Sequence, residues 1–261
     1  MQLKGYTTVV TGAAHGLGAA AAKRFLAEGA RVVIADIDGP AADTLAAELD
    51  ATGQRAQAFA CDIADASACE SLVTAAESFF GAPIDVFCAH AGVGYAGVFH
   101  ESSAAEVKRV IDVNVLGSIY SAQAAVRSLV KSRRPSLIFT TSLQSVTARS
   151  QRSIYTTSKH ALVGLTKALA LEYAPLGVRV NAIAPASTDT PFLRKQYELL
   201  GSPDLEQSLR DTASSMPLGW LPTPDDFADA AVFLASASSR SITGLNLLLD
   251  SGAAAGFFKR G

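Results

Sequence analysis

The chain has 261 residues, of which 49% are hydrophobic and only 18% charged, and it carries a net charge of −2. Such a composition suits one domain with a sheet buried on both faces, and it gives no electrostatic footprint for a nucleic-acid partner. No run of 18 apolar residues is long enough to span a membrane, and Met1 to Gly5 leads almost at once into a strand pattern, so the expectation is a soluble, cytoplasmic protein without a signal peptide.

In chain order, the first predicted strand (6–11) runs into Thr11-Gly12-Ala13-Ala14-His15-Gly16-Leu17-Gly18 and then an alanine-rich helix near 16–29. A glycine turn between a strand and a helix lets backbone N–H groups approach a phosphate at the positive end of the helix. Gly12, His15, Gly16, Leu17 and Gly18 are the expected cofactor contacts of this turn. The second strand (31–36) ends on Asp36, a carboxylate placed to accept hydrogen bonds from a ribose 2′-hydroxyl and to repel a 2′-phosphate. No Arg or Lys stands in the glycine turn or directly after Asp36, where Ile37 and Asp38 follow, so these residues point to NAD(H).

Further strands are predicted near 55–60, 84–88, 135–141, 177–183 and 245–249, with helices near 40–50, 67–80, 103–132, 153–174 and 224–236. Strictly alternating elements make a Rossmann-type, doubly wound parallel sheet of seven strands with helices on both faces, an α/β fold that binds ligands at the carboxyl ends of its strands. No repeat or linker divides the chain, which reads as one domain over 1–261. The irregular stretch 186–222 reads as a substrate lid, because long loops inside compact domains are usually functional.

Chemistry concentrates in the fifth predicted helix, 153–174. Tyr155 and Lys159 are spaced i, i+4, which places a phenol and an ammonium on one helical face. A tyrosine pKa near 10 is too high for acid–base work at neutral pH, and a neighbouring positive charge favours the phenolate. Ser142 stands thirteen positions upstream at the end of an apolar run. Cys61, Cys69 and Cys88 show no metal-ligand spacing and read as core thiols; the four histidines are scattered, and no metal is expected.

Taken together, Thr11-Gly-x-x-x-Gly16-x-Gly18, Asp36, Asp62, Ala91-Gly92, Asn114, Ser142, Tyr155-x-x-x-Lys159, Asn181, Pro185 and Thr190-Pro191 resemble the short-chain dehydrogenase/reductase family over essentially the whole chain. The resemblance implies that Tyr155 is the general acid/base, with Lys159 lowering its pKa and binding the nicotinamide ribose. It implies that Ser142 bonds the substrate oxygen and that Asn114 holds a relay water. Asp62 with Ile63 would meet the adenine, His90, Ala91 and Gly92 the adenosine, and Pro185, Ser187, Thr188 and Thr190 the nicotinamide. Two positions depart from the family pattern. His90 stands in an Ala89-His90-Ala91-Gly92 segment where the family has two asparagines, and is expected to donate to backbone; Ala186 replaces the glycine after Pro185, which leads to the expectation of an altered loop.

The implied activity is hydride transfer between NAD(H) and a secondary alcohol or ketone. Gln144, Tyr95 and Phe192 are candidate substrate contacts, with Phe99, Leu193, Tyr197, Met216, Leu218 and Trp220 as further lining. This largely apolar set leans towards a hydrophobic or cyclic substrate. Arg149 and Arg152 would greet an anionic group or else contact solvent or another subunit. Epimerisation or dehydration on the same scaffold is the alternative reaction, and a non-catalytic dinucleotide sensor is the alternative class; loss of Tyr155 or Lys159 would mark the latter. Apolar residues on more than one face of 103–132 and 153–174, the Phe257-Phe258 tail and the family's habit lead to the expectation of a homotetramer.

Overall fold

A computed structural model describes residues 1–256; the expected tail contact through Phe257 and Phe258 lies outside the described residues. The elements in chain order are β1 (Thr7–Thr11), α1 (Gly16–Ala27), β2 (Arg31–Asp36), α2 (Gly39–Leu49), β3 (Ala56–Ala60), α3 (Ala66–Phe80) and β4 (Val86–Ala89). They continue with α4 (Ala104–Ile111), α5 (Ser118–Leu129), β5 (Ser136–Thr140), α6 (Ser153–Tyr173) and β6 (Arg179–Pro185), and end with α7 (Pro191–Leu199), α8 (Leu205–Ser215), α9 (Pro224–Ala235) and β7 (Asn246–Leu249). All seven strands are parallel and stand in the order β3-β2-β1-β4-β5-β6-β7. The order reverses between β1 and β4, and this reversal opens a crevice at the carboxyl ends of both strands.

Strand alternation builds two cores. Val10, Ile34, Cys88, Ile138 and Ile183 face α1 and α9, where they meet Phe25 and Phe227. Their neighbours Val9, Val33, Phe87, Leu137 and Phe139 face the opposite side, with Leu72 of α3 and Leu129 of α5. Because both faces are covered, the strands need apolar residues at successive positions, which is why they read as continuous runs. Cys61, Cys69 and Cys88 are all buried, and desolvation pushes the Cys88 thiol up to about 12.

The helix ends follow capping rules. Asp38 accepts from Ala41 N ahead of α2, which has Pro40 in its first turn. Ser103 with Glu106, and Thr223 with Asp226, form reciprocal capping boxes at α4 and α9.

Two segments differ from the sequence expectation. The single helix expected over 103–132 is divided by a wide π turn, Asp112–Gly117, between α4 and α5. The stretch 186–222, expected to be irregular, contains α7 and α8. Thr190 caps α7 ahead of Pro191, and Asp204 caps α8 by accepting from Gln207 N. The short basic segment Lys131-Ser132-Arg133-Arg134 after α5 contributes to the fold: Lys131 lies 3.4 Å from Glu77, Ser132 donates to Asp85, and Arg134 stacks on Tyr6 at 3.8 Å. None of the helices among the described residues is long and apolar enough to cross a membrane.

Candidate active site

A cleft of roughly 590 Å³ runs along the carboxyl ends of β1, β2, β4, β5 and β6. Gly12, His15, Gly16, Leu17, Asp36, Ile37, Asp62 and Ile63 line one end. Ser142, Gln144, Tyr155, Lys159, Thr188 and Phe192 line the other, and His90, Ala91 and Gly92 lie along the wall. Pro185, Ser187 and Thr190 also line the cleft.

The glycine turn is built for close approach. Gly12 has φ +65, and a Cβ there would lie 2.7 Å from Ala91 Cα, so only glycine fits between β1 and the end of β4. Gly18 has a different task from the one expected. It lies outside the cleft, where a Cβ would stand 2.2 Å from the Gly12 carbonyl oxygen; its lack of a side chain lets α1 pack onto the turn. Asp36 accepts from Ala14 N at 2.9 Å and from Asp38 N at 3.0 Å, so the carboxylate shapes the turn while still facing the cleft. Each oxygen retains accepting capacity for a ribose hydroxyl. The fixed glycines, the forward carboxylate and the length of the cleft fit a nicotinamide dinucleotide.

At the other end, Ser142 follows β5 and caps a short turn, its hydroxyl accepting from Gln144 N at 3.2 Å. Tyr155 and Lys159 sit on the buried face of α6. Burial pushes the Tyr155 phenol up; the Ser142 hydroxyl and then the Arg152 guanidinium pull it back. Lys159, expected to lower it, lies one helical turn away. Its ammonium donates to the Thr140 carbonyl at 2.8 Å and stands 5.8 Å from the Tyr155 ring centre. Burial brings Lys159 down to about 8.

Asn114 is fully buried in the π turn and does not line the cleft. Its side chain is committed to Val93 N at 2.8 Å, Val93 O at 2.9 Å and the Ser158 hydroxyl at 3.0 Å, and its carbonyl accepts from Ser118. A relay water would therefore have to use the backbone carbonyl, because the side-chain amide is spent tying Val93, beyond β4, to α6.

His90 does not donate to backbone as expected. Its Nδ1 shares a 3.0 Å hydrogen bond with the Thr140 hydroxyl, its ring packs 5.3 Å from that of Phe227, and burial holds its pKa down at about 3. Neutral His90 thus braces the cleft wall. Ala186 keeps an ordinary backbone, since its N–H donates to Leu249 O at 2.8 Å and the positive-φ non-glycine residues are Gln151 and Ser251. Asn181 pins the chain ahead of β7 through Ile242 O and Leu245 N.

Of the substrate candidates, Phe192 lies with its ring 6.4 Å from that of Tyr155, and Gln144, Leu193 and Met216 line the cleft. Tyr95 is a correction: it is buried outside the cleft, its hydroxyl bonded to Ser102 and its carbonyl to Arg152. Tyr197 is likewise turned inward onto Thr212, while Phe99, Leu218 and Trp220 are exposed away from the cleft. Sequence reasoning missed Gln196, a buried cleft residue bonded to Arg152; it also missed Thr11, whose hydroxyl receives the His90 and Ala91 N–H groups. Gln196 carries no local signal, since a polar residue within a polar helix looks solvated; Thr11 ends β1 and reads as one more strand residue ahead of the glycine turn.

The family model described as enoyl-(acyl carrier protein) reductase matches residues 12–254. The chain is similar to the 2,5-dichloro-2,5-cyclohexadiene-1,4-diol dehydrogenase LinX of Sphingobium indicum, at 36% identity over 96% of this chain and 97% of that protein. It is 36% identical to 3beta-hydroxysteroid dehydrogenase 1 of Eggerthella lenta, over 96% of this chain and 94% of that one. Among solved structures, the 3-ketoacyl-(acyl-carrier-protein) reductase of Brucella melitensis, complexed with NADH, superposes with a TM-score of 0.87 at 33% identity, covering 97% of this chain and 99% of the other.

Proposed function

The chain belongs to the short-chain dehydrogenase/reductase family, as an oxidoreductase that moves a hydride between a nicotinamide cofactor and an alcohol or ketone, and we propose that its cofactor is NAD(H) and its substrate a hydrophobic or cyclic secondary alcohol or the matching ketone. One observation carries the reading: Ser142, Tyr155 and buried Lys159 converge at one end of a cleft whose other end presents Asp36.

When bound, the nicotinamide would supply the hydride acceptor or donor. The protein's part is proton transfer and orientation. The Tyr155 phenol gives its proton to a carbonyl oxygen during reduction and, as phenolate, takes one from the alcohol during oxidation. Ser142 fixes that oxygen by a hydrogen bond, which supplies orientation. Lys159 provides a cation for the ribose hydroxyls, and Asn114 holds the Val93 backbone and α6 in register. Thr188, Thr190 and Pro185 would frame the carboxamide. Leu143, Phe192, Leu193 and Met216 give the substrate end an apolar surface, and both named relatives act on ring compounds, which supports a cyclic substrate. The segment 186–222, with α7 and α8, is proposed as the lid, a homotetramer as the assembly and the cytoplasm as the compartment.

The test is a screen of cyclic and acyclic secondary alcohols with NAD⁺ and NADP⁺. NAD⁺ is expected to be favoured because Asp36 meets a 2′-phosphate with like charge; a preference for NADP⁺ would overturn the cofactor assignment. Tyr155→Phe is expected to lower turnover by about 10²–10⁴-fold with NADH affinity retained. Substantial activity in that variant would remove the mechanism.

A further inference from the structure

Arg152 stands just ahead of α6, its side chain making no capping bond, and is only 6% exposed, yet it lines the cleft three residues from Tyr155. A guanidinium so deeply buried ordinarily has a carboxylate for company, because an uncompensated charge away from water is costly. Here Nη1 donates to Tyr95 O at 2.9 Å and to Gln196 Oε1, while Nε is buried without a partner. No ion pair to Arg152 exists among the described residues.

The surroundings add positive charge. Arg149 also lines the cleft and is close enough to repel Arg152, and buried Lys159 stands one helical turn beyond Tyr155. The two lining carboxylates, Asp36 and Asp62, belong to the glycine-turn end. The substrate end is thus cationic, with no carboxylate among its lining residues.

The backbone also fixes this side chain in place. Gln151, immediately before Arg152, holds φ +61, a conformation that non-glycine residues rarely adopt, and its carbonyl accepts from Gly97 N at 3.0 Å.

We propose that Arg152 receives a carboxylate carried by the substrate, so that the molecule turned over is an alcohol or ketone with an acid group close to its reacting carbon. The inference rests on the dehydrogenase reading and narrows its substrate class. Planar carboxylates bind guanidinium edges through two parallel hydrogen bonds. Nη1 is engaged by the protein, whereas Nε and Nη2 donate no hydrogen bond to the protein among the described residues, which leaves one such edge. Gln196 holds the guanidinium from α7, so the same contact couples the segment over the cleft to the acid group. An acid anchored at Arg152 would direct the carbonyl or carbinol towards Ser142 and Tyr155.

The test is calorimetric binding to the complex of the full chain with NADH, using acetoacetate, 4-oxopentanoate and 3-oxocyclohexanecarboxylate, each against its methyl ester. At least one acid is expected to bind tenfold or more tightly than its ester. That ratio should fall to about one in Arg152→Gln and survive in part in Arg152→Lys. Esters that bind as well as their acids in every pair would overturn the proposal, and so would an acid preference that persists in Arg152→Gln. The wild-type comparison stands even where a variant fails to fold. Arg152 acting only to bias the phenol would shift the pH profile equally for acid and ester and leave their ratio unchanged, which also overturns it. Oxidation of NADH, followed by absorbance, separates the two readings. Acids bound through Arg152 but never reduced would defeat the dehydrogenase and spare the anion site; esters reduced as readily as acids would do the reverse.

Discussion

Lys159 is an ammonium held at 4% exposure with one protein hydrogen bond, to the Thr140 carbonyl. Its pKa of about 8, against an ordinary 10.5, means that the folded chain binds that proton more weakly than the unfolded chain does. The charged group therefore opposes folding, with its full cost below pH 8 and a cost that fades as pH rises towards 10.5. The penalty is on the order of 3 kcal/mol. Lys159→Met keeps the aliphatic stem and removes the charge. It is expected to abolish turnover yet raise stability by about 1–3 kcal/mol at pH 7, an advantage that shrinks by pH 9. Thermal unfolding of the cofactor-free chain at both pH values checks this, and a variant less stable than the wild type at pH 7 would refute it. Spacing alone revealed that Tyr155 and Lys159 share a face, because i, i+4 geometry is local. It could not reveal that the ammonium turns to Thr140, or that Arg152 contributes to the phenol's environment, since both depend on where β5 and α7 end up. Tyr95 failed as a substrate contact for the same reason: an aromatic after β4 looks ready to line a cleft until Ser102 is found holding its hydroxyl.

Between α4 and α5, the π turn Asp112–Gly117 rotates Asn114 inward, so that one amide serves both Val93 backbone groups and Ser158. Wide turns of this kind recur at functional sites. Gly117 lets α5 begin tightly against Ile63, where a Cβ would stand 2.8 Å from Ile63 Cδ1. Asn114→Ala leaves the Val93 amide and carbonyl and the Ser158 hydroxyl without this partner in the interior. It is expected to cost about 2–3 kcal/mol and to weaken NADH binding through the displaced Gly92–Val93 segment. Denaturant unfolding and NADH fluorescence titration check the two effects; a stable variant with unchanged affinity would remove the clamp. Strands and their order of alternation were legible because apolar β-branched runs end at glycines or at Asp36. The π turn was not, since residues 104–129 are nearly all compatible with a continuous helix and its cause lies across the fold at Val93. In α7 and α8 the signals were present at Thr190-Pro191 and Asp204, but scattered glycines, prolines and polar residues concealed the helical pattern.

At the scale of the whole molecule, the sheet faces account for the apolar composition only in part. On α6, Tyr155, Lys159, Leu162, Thr166 and Ala170 face inward, while Ala161, Gly164, Ala168 and Leu171 form an exposed strip, with Leu171 at 81% exposure. A Cβ built on Gly164 meets nothing within 4 Å. On the preceding helices Val113, Leu116 and Ile119 are only half-buried, and Val130 just beyond α5 is exposed. Small residues along an open helical face permit close backbone approach, and a helix apolar on two sides needs a second layer. The proposed assembly follows: these faces meet those of other copies, and the acid–base residues on the inner side of α6 gain rigidity from contacts on its outer side. Light scattering should return four times the 27.0 kDa chain mass, and a wild-type monomer at working concentration would defeat the proposal. Ala168→Glu places a charge in the strip without touching the core, so it should yield smaller, folded species with lower activity. Full activity in a monomeric Ala168→Glu variant would show that α6 needs no neighbour to hold Tyr155 in place.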